Sequence, residues 1–274
     1  MNTAVADEEL RQISTVIIAQ DEEVRLATAV RSCQCFSDEV LVVDGGSRDG
    51  TAELAHTLGC RVIRNPWPGY AAQRNFGAAA ANYDWIFFLD ADEEADAHLQ
   101  LALLAWKHTP TLAAAAFAVC RVGNFFDRWL DNKPEHPIRL YDRRVHRLTD
   151  VPVHERIAVG EAPVARLPGT LRHHGFRSVA DHIERFNRYT SLEAEQAAAE
   201  HRPFSPLRLL GRPPARFLQM YFLSGMVRRG LAGLTVAVLW SYYEFLREIK
   251  LYELTRETAD RPAVTPSHLG SPRP

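Results

Sequence analysis

Trp85-Ile86-Phe87-Phe88-Leu89-Asp90-Ala91-Asp92-Glu93-Glu94 is the stretch on which the fold turns. Its five large apolar residues read as a strand buried on both faces. Four carboxylates then arrive where that strand should end. Acids bunched so tightly repel one another, and a divalent cation would turn that repulsion into attraction. Asp-X-Asp at the C-terminal edge of a buried strand therefore points to a metal that holds a phosphate-bearing ligand. Read alone, the same acids make a solvated turn.

The sequence before this stretch has a matching rhythm. Residues 13–19 form a β-branched run, and a helical stretch follows from Glu22 to Cys35. Val40-Leu41-Val42-Val43 gives a second strand, ending at Asp44-Gly45-Gly46-Ser47-Arg48-Asp49-Gly50-Thr51. A helix over 51–58, a strand at 61–63 and an alanine-rich helix over 70–81 lead into the acidic strand. Strands and helices alternating through short connections predict a parallel sheet covered on both faces. Ligands of such sheets bind beyond the carboxyl ends of the strands, so Asp44 and Asp90 should approach one crevice. Asp49 and Thr51 are read as turn and cap residues. The acids at Asp21, Glu22 and Glu23 form a third acidic edge or favour the N-terminus of the next helix, and Arg74, which taken alone reads as a surface residue, sits where a guanidinium could meet a diphosphate.

Together these segments resemble glycosyltransferase family 2, the inverting enzymes of GT-A fold. The residues that carry the resemblance are Val16 to Glu22, Glu39 to Thr51, Gln73-Arg74-Asn75 and Phe88 to Glu93. The sequence departs at Asp21, where the family commonly has asparagine. The resemblance implies a nucleotide-sugar pocket lined by Ala19, Glu22, Asp44, Ser47, Arg74 and Asp90. It also implies that Asp92 binds Mg2+ or Mn2+ on the donor diphosphate. Glu93 is read as supporting the site, and Glu94 as opening the next helix.

From Thr109 the rhythm changes. Residues 114–122 predict another strand, and 139–141 with 145–148 predict a hairpin around Asp142-Arg143. Ile138-Arg139-Leu140-Tyr141, Val153-His154-Glu155 and Leu171-Arg172-His173-His174 look like the branch that builds lipopolysaccharide cores, closest to its β-glucosyltransferases. Inversion needs a carboxylate within reach of the acceptor hydroxyl. Glu155 is the candidate base and His154 its helper, with Asp127 and Asp131 in reserve; His173 is weaker. UDP-glucose is the donor implied, and a lipopolysaccharide-core or other surface glycan the acceptor.

Composition bounds the rest. With 274 residues, 46% of them hydrophobic, the chain can bury a sizeable core. A net charge of -2 gives no field for nucleic acid. Four cysteines without metal or disulfide spacing suit a reduced cytoplasmic setting. Met1 to Leu10 has no apolar run, so no secretory signal is expected.

Residues 202–252 carry eight cations (Arg202, Arg208, Arg212, Arg216, Arg228, Arg229, Arg247 and Lys250) against Glu244 and Glu248, a net of +6. With many aromatics, this predicts helices on an anionic membrane surface; packing on the domain or on a second subunit would use similar residues. Gly230 to Phe245, the longest apolar stretch, falls short of the roughly 20 residues of a spanning helix. The expected organisation is a donor half over 1–108, an acceptor half over 109–201, membrane-associating helices over 202–252 and a disordered tail over 253–274. That puts the protein peripherally on the inner face of the plasma (inner) membrane. The sequence does not fix its oligomeric state. A polyprenyl-phosphate glycosyltransferase is the alternative within the class. Outside it stand a haloacid-dehalogenase-like phosphatase, which also uses Asp-X-Asp after a strand, and a non-catalytic membrane-bound assembly subunit.

Overall fold

A computed structural model describes residues 10–109, 114–126, 128–130, 134–149, 157–176 and 178–259. The chain forms two compact units, residues 1–178 and 179–274.

In the first unit, β1 (Ile13–Ala19) leads to α1 (Glu23–Cys33), β2 (Glu39–Asp44), α2 (Thr51–Thr57) and β3 (Arg61–Arg64). The chain continues through α3 (Tyr70–Ala80), β4 (Trp85–Asp90), β5 (Glu93–Ala95) and α4 (Ala97–Lys107). The remaining strands are β6 (Ala116–Phe125), β7 (Arg128–Trp129), β8 (Ile138–Asp142), β9 (Arg147–Leu148), β10 (Ile157–Ala158) and β11 (Val164–His173). The main sheet runs β3-β2-β1-β4-β8-β6-β11-β5, with β7 beside β6. This is the GT-A type of α/β architecture: β3, β2, β1 and β4 are parallel, and the remainder is mixed.

β1 is buried at every position because it has parallel neighbours on both sides. One core packs Leu26, Phe36, Phe87 and Leu89 with the inner face of α4; the other packs Val16, Val43, Phe88 and Tyr141. Gly77 lets α3 lie close on the sheet, since a Cβ there would meet Val16 at 2.5 Å and Val43 at 2.8 Å.

Two expectations are corrected. Residues 139–141 do not form a hairpin with 145–148. β8 is inserted between β4 and β6, antiparallel to both, and β9 pairs with β10. Burial of Leu140 and Tyr141 in the main sheet accounts for this, while His146 N–H closes a turn on the Asp142 carbonyl (3.0 Å). Glu94 does not open the next helix: it lies in β5. Asp96 caps α4 instead, accepting from Leu99 N–H at 2.8 Å.

The second unit contains α5 (Val179–Ala199), α6 (Pro206–Leu218) and α7 (Gly230–Ala259). Between α6 and α7 lie a π turn at Gln219–Leu223 and a 3₁₀ turn at Met226–Arg229, bracketed by left-handed Gly225 (φ 70°) and Gly230 (φ 59°). The cations expected to face lipid are largely engaged within the unit. Arg208 meets Glu248 at 3.0 Å, Arg202 meets it at 3.4 Å, and Arg216 meets Glu244 at 2.8 Å. Arg247 bridges Glu244 and Glu193, and Lys250 donates to Asn187, Thr190 and Ser191. Glu248 is fully buried and Glu244 nearly so, and buried carboxylates require such partners. Of the tail expected to be disordered over 253–274, the first residues instead continue α7 to Ala259, and those from residue 260 lie outside the described residues.

Candidate functional site

The parallel register brings the strand ends together. Ala19 pairs with Asp44, and Ile18 with Asp90, so both aspartates lie at the carboxyl edge on either side of β1. Two strand spacings put their backbones roughly 10 Å apart. Asp44 is buried, and its carboxylate closes the following turn by accepting from Gly46 N–H (3.1 Å) and Ser47 N–H (3.1 Å). The Ala19 carbonyl accepts from Gly45 N–H at 2.8 Å. Ser47 Oγ accepts from Asp21 N–H at 3.0 Å, and Thr51 Oγ1 from Glu22 N–H at 2.9 Å. Asp49 accepts from Thr51 and Glu23 N–H groups, as expected of a turn residue. The loops after β1 and β2 are thus clasped into one rim.

The acidic cluster is neutralised mainly by arginine, which corrects the argument that its repulsion calls for a metal. Arg74 and Arg139 both contact Asp90, Arg139 at 3.2 Å. Glu93 has no exposed side-chain surface and meets Arg139 and Arg121, each at 2.6 Å; it also accepts from Asp90 N–H at 3.1 Å. Burial pushes the Asp90 carboxyl upward, but Arg74, Arg139 and Arg121 outweigh it and hold the group far below its ordinary value. The same acids raise Arg121 and Arg139 against the opposing effect of burial. Arg74, expected at a diphosphate, is here bound to Asp90.

Asp92 is different. It lies in the turn from β4 to β5, beside the end of β11, where His173 is in register with Glu93. The Asp92 carbonyl accepts from His174 N–H at 2.8 Å, and its carboxylate lies 3.3 Å from His173 Nε2 and 3.6 Å from Arg25. Burial raises the Asp92 carboxyl, yet the His173 hydrogen bond and charge, with Arg25, bring it down to about 2. His174 turns to Glu94 at 3.1 Å, so the two histidines serve different acids. Arg25 grips the Glu22 carboxylate through two bonds of 2.9 Å and the His174 carbonyl at 3.0 Å. Glu22, expected in the nucleotide pocket, orients Arg25 here.

The Asp92 carboxylate suits Mg2+ or Mn2+, which take few protein ligands and fill their shell with water and phosphate oxygens, and the His173 imidazole stands beside it as a second donor. No group of three His, Cys, Asp or Glu side chains able to hold a metal occurs among the described residues. The donor set of Asp92 and His173 therefore fits an ion completed by a ligand, not one caged by the chain alone. Glu155, His154, Asp127 and Asp131 lie outside the described residues.

The sequence reading missed Arg25, Arg121 and Arg139 as site residues. Arg25 had a signal, Glu22 three positions before it at a helix start. Arg139 had another, a single charge inside the apolar run Ile138 to Tyr141. Arg121 had none.

A family model described as "Glycosyl transferase family 2" matches residues 14–159. An uncharacterized glycosyltransferase of Rickettsia typhi is 29% identical over 90% of this chain and 88% of its own. The lipopolysaccharide core biosynthesis glycosyltransferase LpsC of Rhizobium meliloti is 30% identical over 88% of this chain and 92% of its own. Among solved structures, glucosyl-3-phosphoglycerate synthase of Mycobacterium tuberculosis, crystallised with Mn2+ and UDP, is 25% identical. It overlaps 40% of this chain and 44% of its own with a TM-score of 0.34, too loose a likeness to carry chemistry across.

Proposed function

The chain belongs to glycosyltransferase family 2, and on that premise we propose that it transfers a sugar, with inversion, from a nucleotide-diphosphate sugar to a lipopolysaccharide-core or related surface glycan. The observation that carries this reading is Asp92 beside His173 at the strand edge that also bears Asp44 and Asp90.

Asp92 and His173 are the residues that would hold Mg2+ or Mn2+. A bound ion supplies neutralisation of the charge that grows on the departing diphosphate. Asp90, kept ionised by its arginines, is an acceptor for ribose hydroxyls, and Asp44 lines the same edge. Arg25 adds positive charge beside Asp92, where the leaving group needs it. Glu155, assigned as base by its Val-His-Glu motif, takes the acceptor hydroxyl proton. The acceptor oxygen then bonds to the anomeric carbon as the bond to diphosphate breaks, so an α-linked donor gives a β-linked product. UDP-glucose is the donor proposed, by resemblance.

The test is a screen of nucleotide sugars for hydrolysis and transfer, with and without EDTA. UDP-glucose should be used in a strictly metal-dependent way. Turnover undiminished by EDTA would refute the metal role, and release of phosphate from simple esters without sugar transfer would refute the reaction.

A further inference from the structure

Two helices of the second unit, α6 and α7, leave apolar faces in water while turning charged groups inward. On α6, Leu207, Leu210, Pro214 and Leu218 recur at steps of three, four and four, which places them on one face. That face points to solvent: Leu207 is 85% exposed and Leu210 74%. Arg208 and Arg216 instead turn to the acids of α7. α7 buries Val236, Leu239 and Leu251 but also leaves an apolar face outside. Leu231, Leu234, Val238, Tyr242 and Phe245, at steps of three, four, four and three, are exposed, whereas Glu244 and Glu248 are buried. Water alone would favour the opposite arrangement, with leucines inward and ions outward.

We propose that these outward faces rest in the hydrocarbon edge of an anionic phospholipid bilayer, the helices lying in the interface. The buried ion pairs suit that setting, since a charge facing lipid is costly and a paired one inside the unit is not. Charge identifies the occupant. Among residues 206–256 the exposed charges are Arg212, Arg228, Glu253 and Arg256, three cations to one acid, while Glu244 and Glu248 are buried. An anionic headgroup layer complements this cationic excess, whereas the same face of a second copy would bring the same excess to the contact. Length and composition together argue for lying rather than crossing. No single described helix is long and apolar enough to span; Pro206–Leu223 and Met226–Arg256 qualify only as a pair, bent by 70°. The binding energy therefore comes chiefly from exposed leucines, not from the arginines that composition brings forward.

Flotation of the full chain with phosphatidylethanolamine–phosphatidylglycerol vesicles tests this. The protein should float, and should retain most binding at about 0.5 M NaCl, where charges are screened beyond a few ångströms. The pairs Leu207→Glu with Leu210→Glu, and Leu231→Glu with Leu234→Glu, should each lose about tenfold or more in partitioning. Leu101→Glu, at an exposed leucine of α4, should lose none. Arg212→Gln with Arg228→Gln should lose only a few-fold. Two pairs on separate helices keep the test decisive if one variant fails to fold by circular dichroism. Binding that salt abolishes and the glutamates spare would overturn the proposal, as would absence of flotation. A solution dimer that the leucine pairs disperse would assign the faces to a second copy instead.

Discussion

Replacing Arg139 with methionine should destabilise the first unit by about 3 kcal/mol, and the figure follows from what the guanidinium leaves behind. Its Nη2 donates to Glu93 at 2.6 Å and to Asp90 at 3.2 Å, with the Glu93 side chain wholly buried and that of Arg139 9% exposed. Breaking a buried ion pair by removing one partner costs roughly 3–5 kcal/mol, because an uncompensated charge stays in low dielectric. Here each acid keeps a second arginine, Arg121 for Glu93 and Arg74 for Asp90, so the lower end applies. For a unit of this size that is a melting shift of roughly 6–12 °C.

Two controls separate electrostatics from lost packing. Adding Glu93→Gln to Arg139→Met removes the carboxylate that the first change strands. The double variant should therefore be more stable than the sum of the singles by about 1 kcal/mol or more. The pH dependence follows from Asp90, whose folded value lies below the ordinary 3.8 because its arginines outweigh burial. A depressed carboxyl contributes stability above its unfolded value and loses it as pH falls through the folded one. The gap between wild type and Arg139→Met should therefore be widest near neutrality and narrow below about pH 4. Urea unfolding measures each quantity. A cost under about 1 kcal/mol at neutral pH, or one unchanged in acid, would show that the network is solvated.

Glu155→Gln should lower transfer by about a hundredfold or more while leaving donor affinity nearly intact, read from turnover and calorimetry; retained turnover would remove the base assignment. Asp92→Asn and His173→Gln should each weaken Mn2+ binding in the presence of nucleotide by at least roughly tenfold, a loss that even outer-shell changes reach. Equal Mn2+ affinity in either variant would take that residue out of the metal site. Arg25→Lys keeps the charge but not the two-bond grip on Glu22, and should cost about 1.5–3 kcal/mol in stability. Unchanged urea midpoints would mean that a point charge suffices there.

The donor half was legible because its signals are local. β1, β2 and β4 are largely apolar runs, and β2 and β4 end in the acids, Asp44 and Asp90, that the parallel arrangement carries to the crevice. What failed to read was long-range. Nothing in Ile138 to Tyr141 says that the strand inserts between β4 and β6 instead of folding back on its successor. The partners of Glu93, Arg121 and Arg139, lie 28 and 46 residues away, beyond any periodicity. Amphipathicity of α6 is visible in sequence, but which face turns inward depends on Glu244 and Glu248, far along the chain.

The bias toward arginine, with lysine only at 107, 133 and 250, has a structural use in both units. Arg25 holds a carboxylate and a carbonyl at once, Arg139 joins two acids, and Arg247 links Glu193 to Glu244. A planar fork with five donors can bridge two anions at fixed angles, whereas a lysine ammonium is a point charge on a flexible stem. Where acids cluster in low dielectric, one bridging cation neutralises two of them with a single desolvated partner. Asp90 and Glu93 are neutralised in this way. Asp92, whose nearest basic partners are a histidine at 3.3 Å and an arginine nitrogen 3.6 Å away, is the acid among Asp90, Asp92 and Glu93 left with capacity for an incoming ion. The division within the motif thus rests on which carboxylates the arginines already hold.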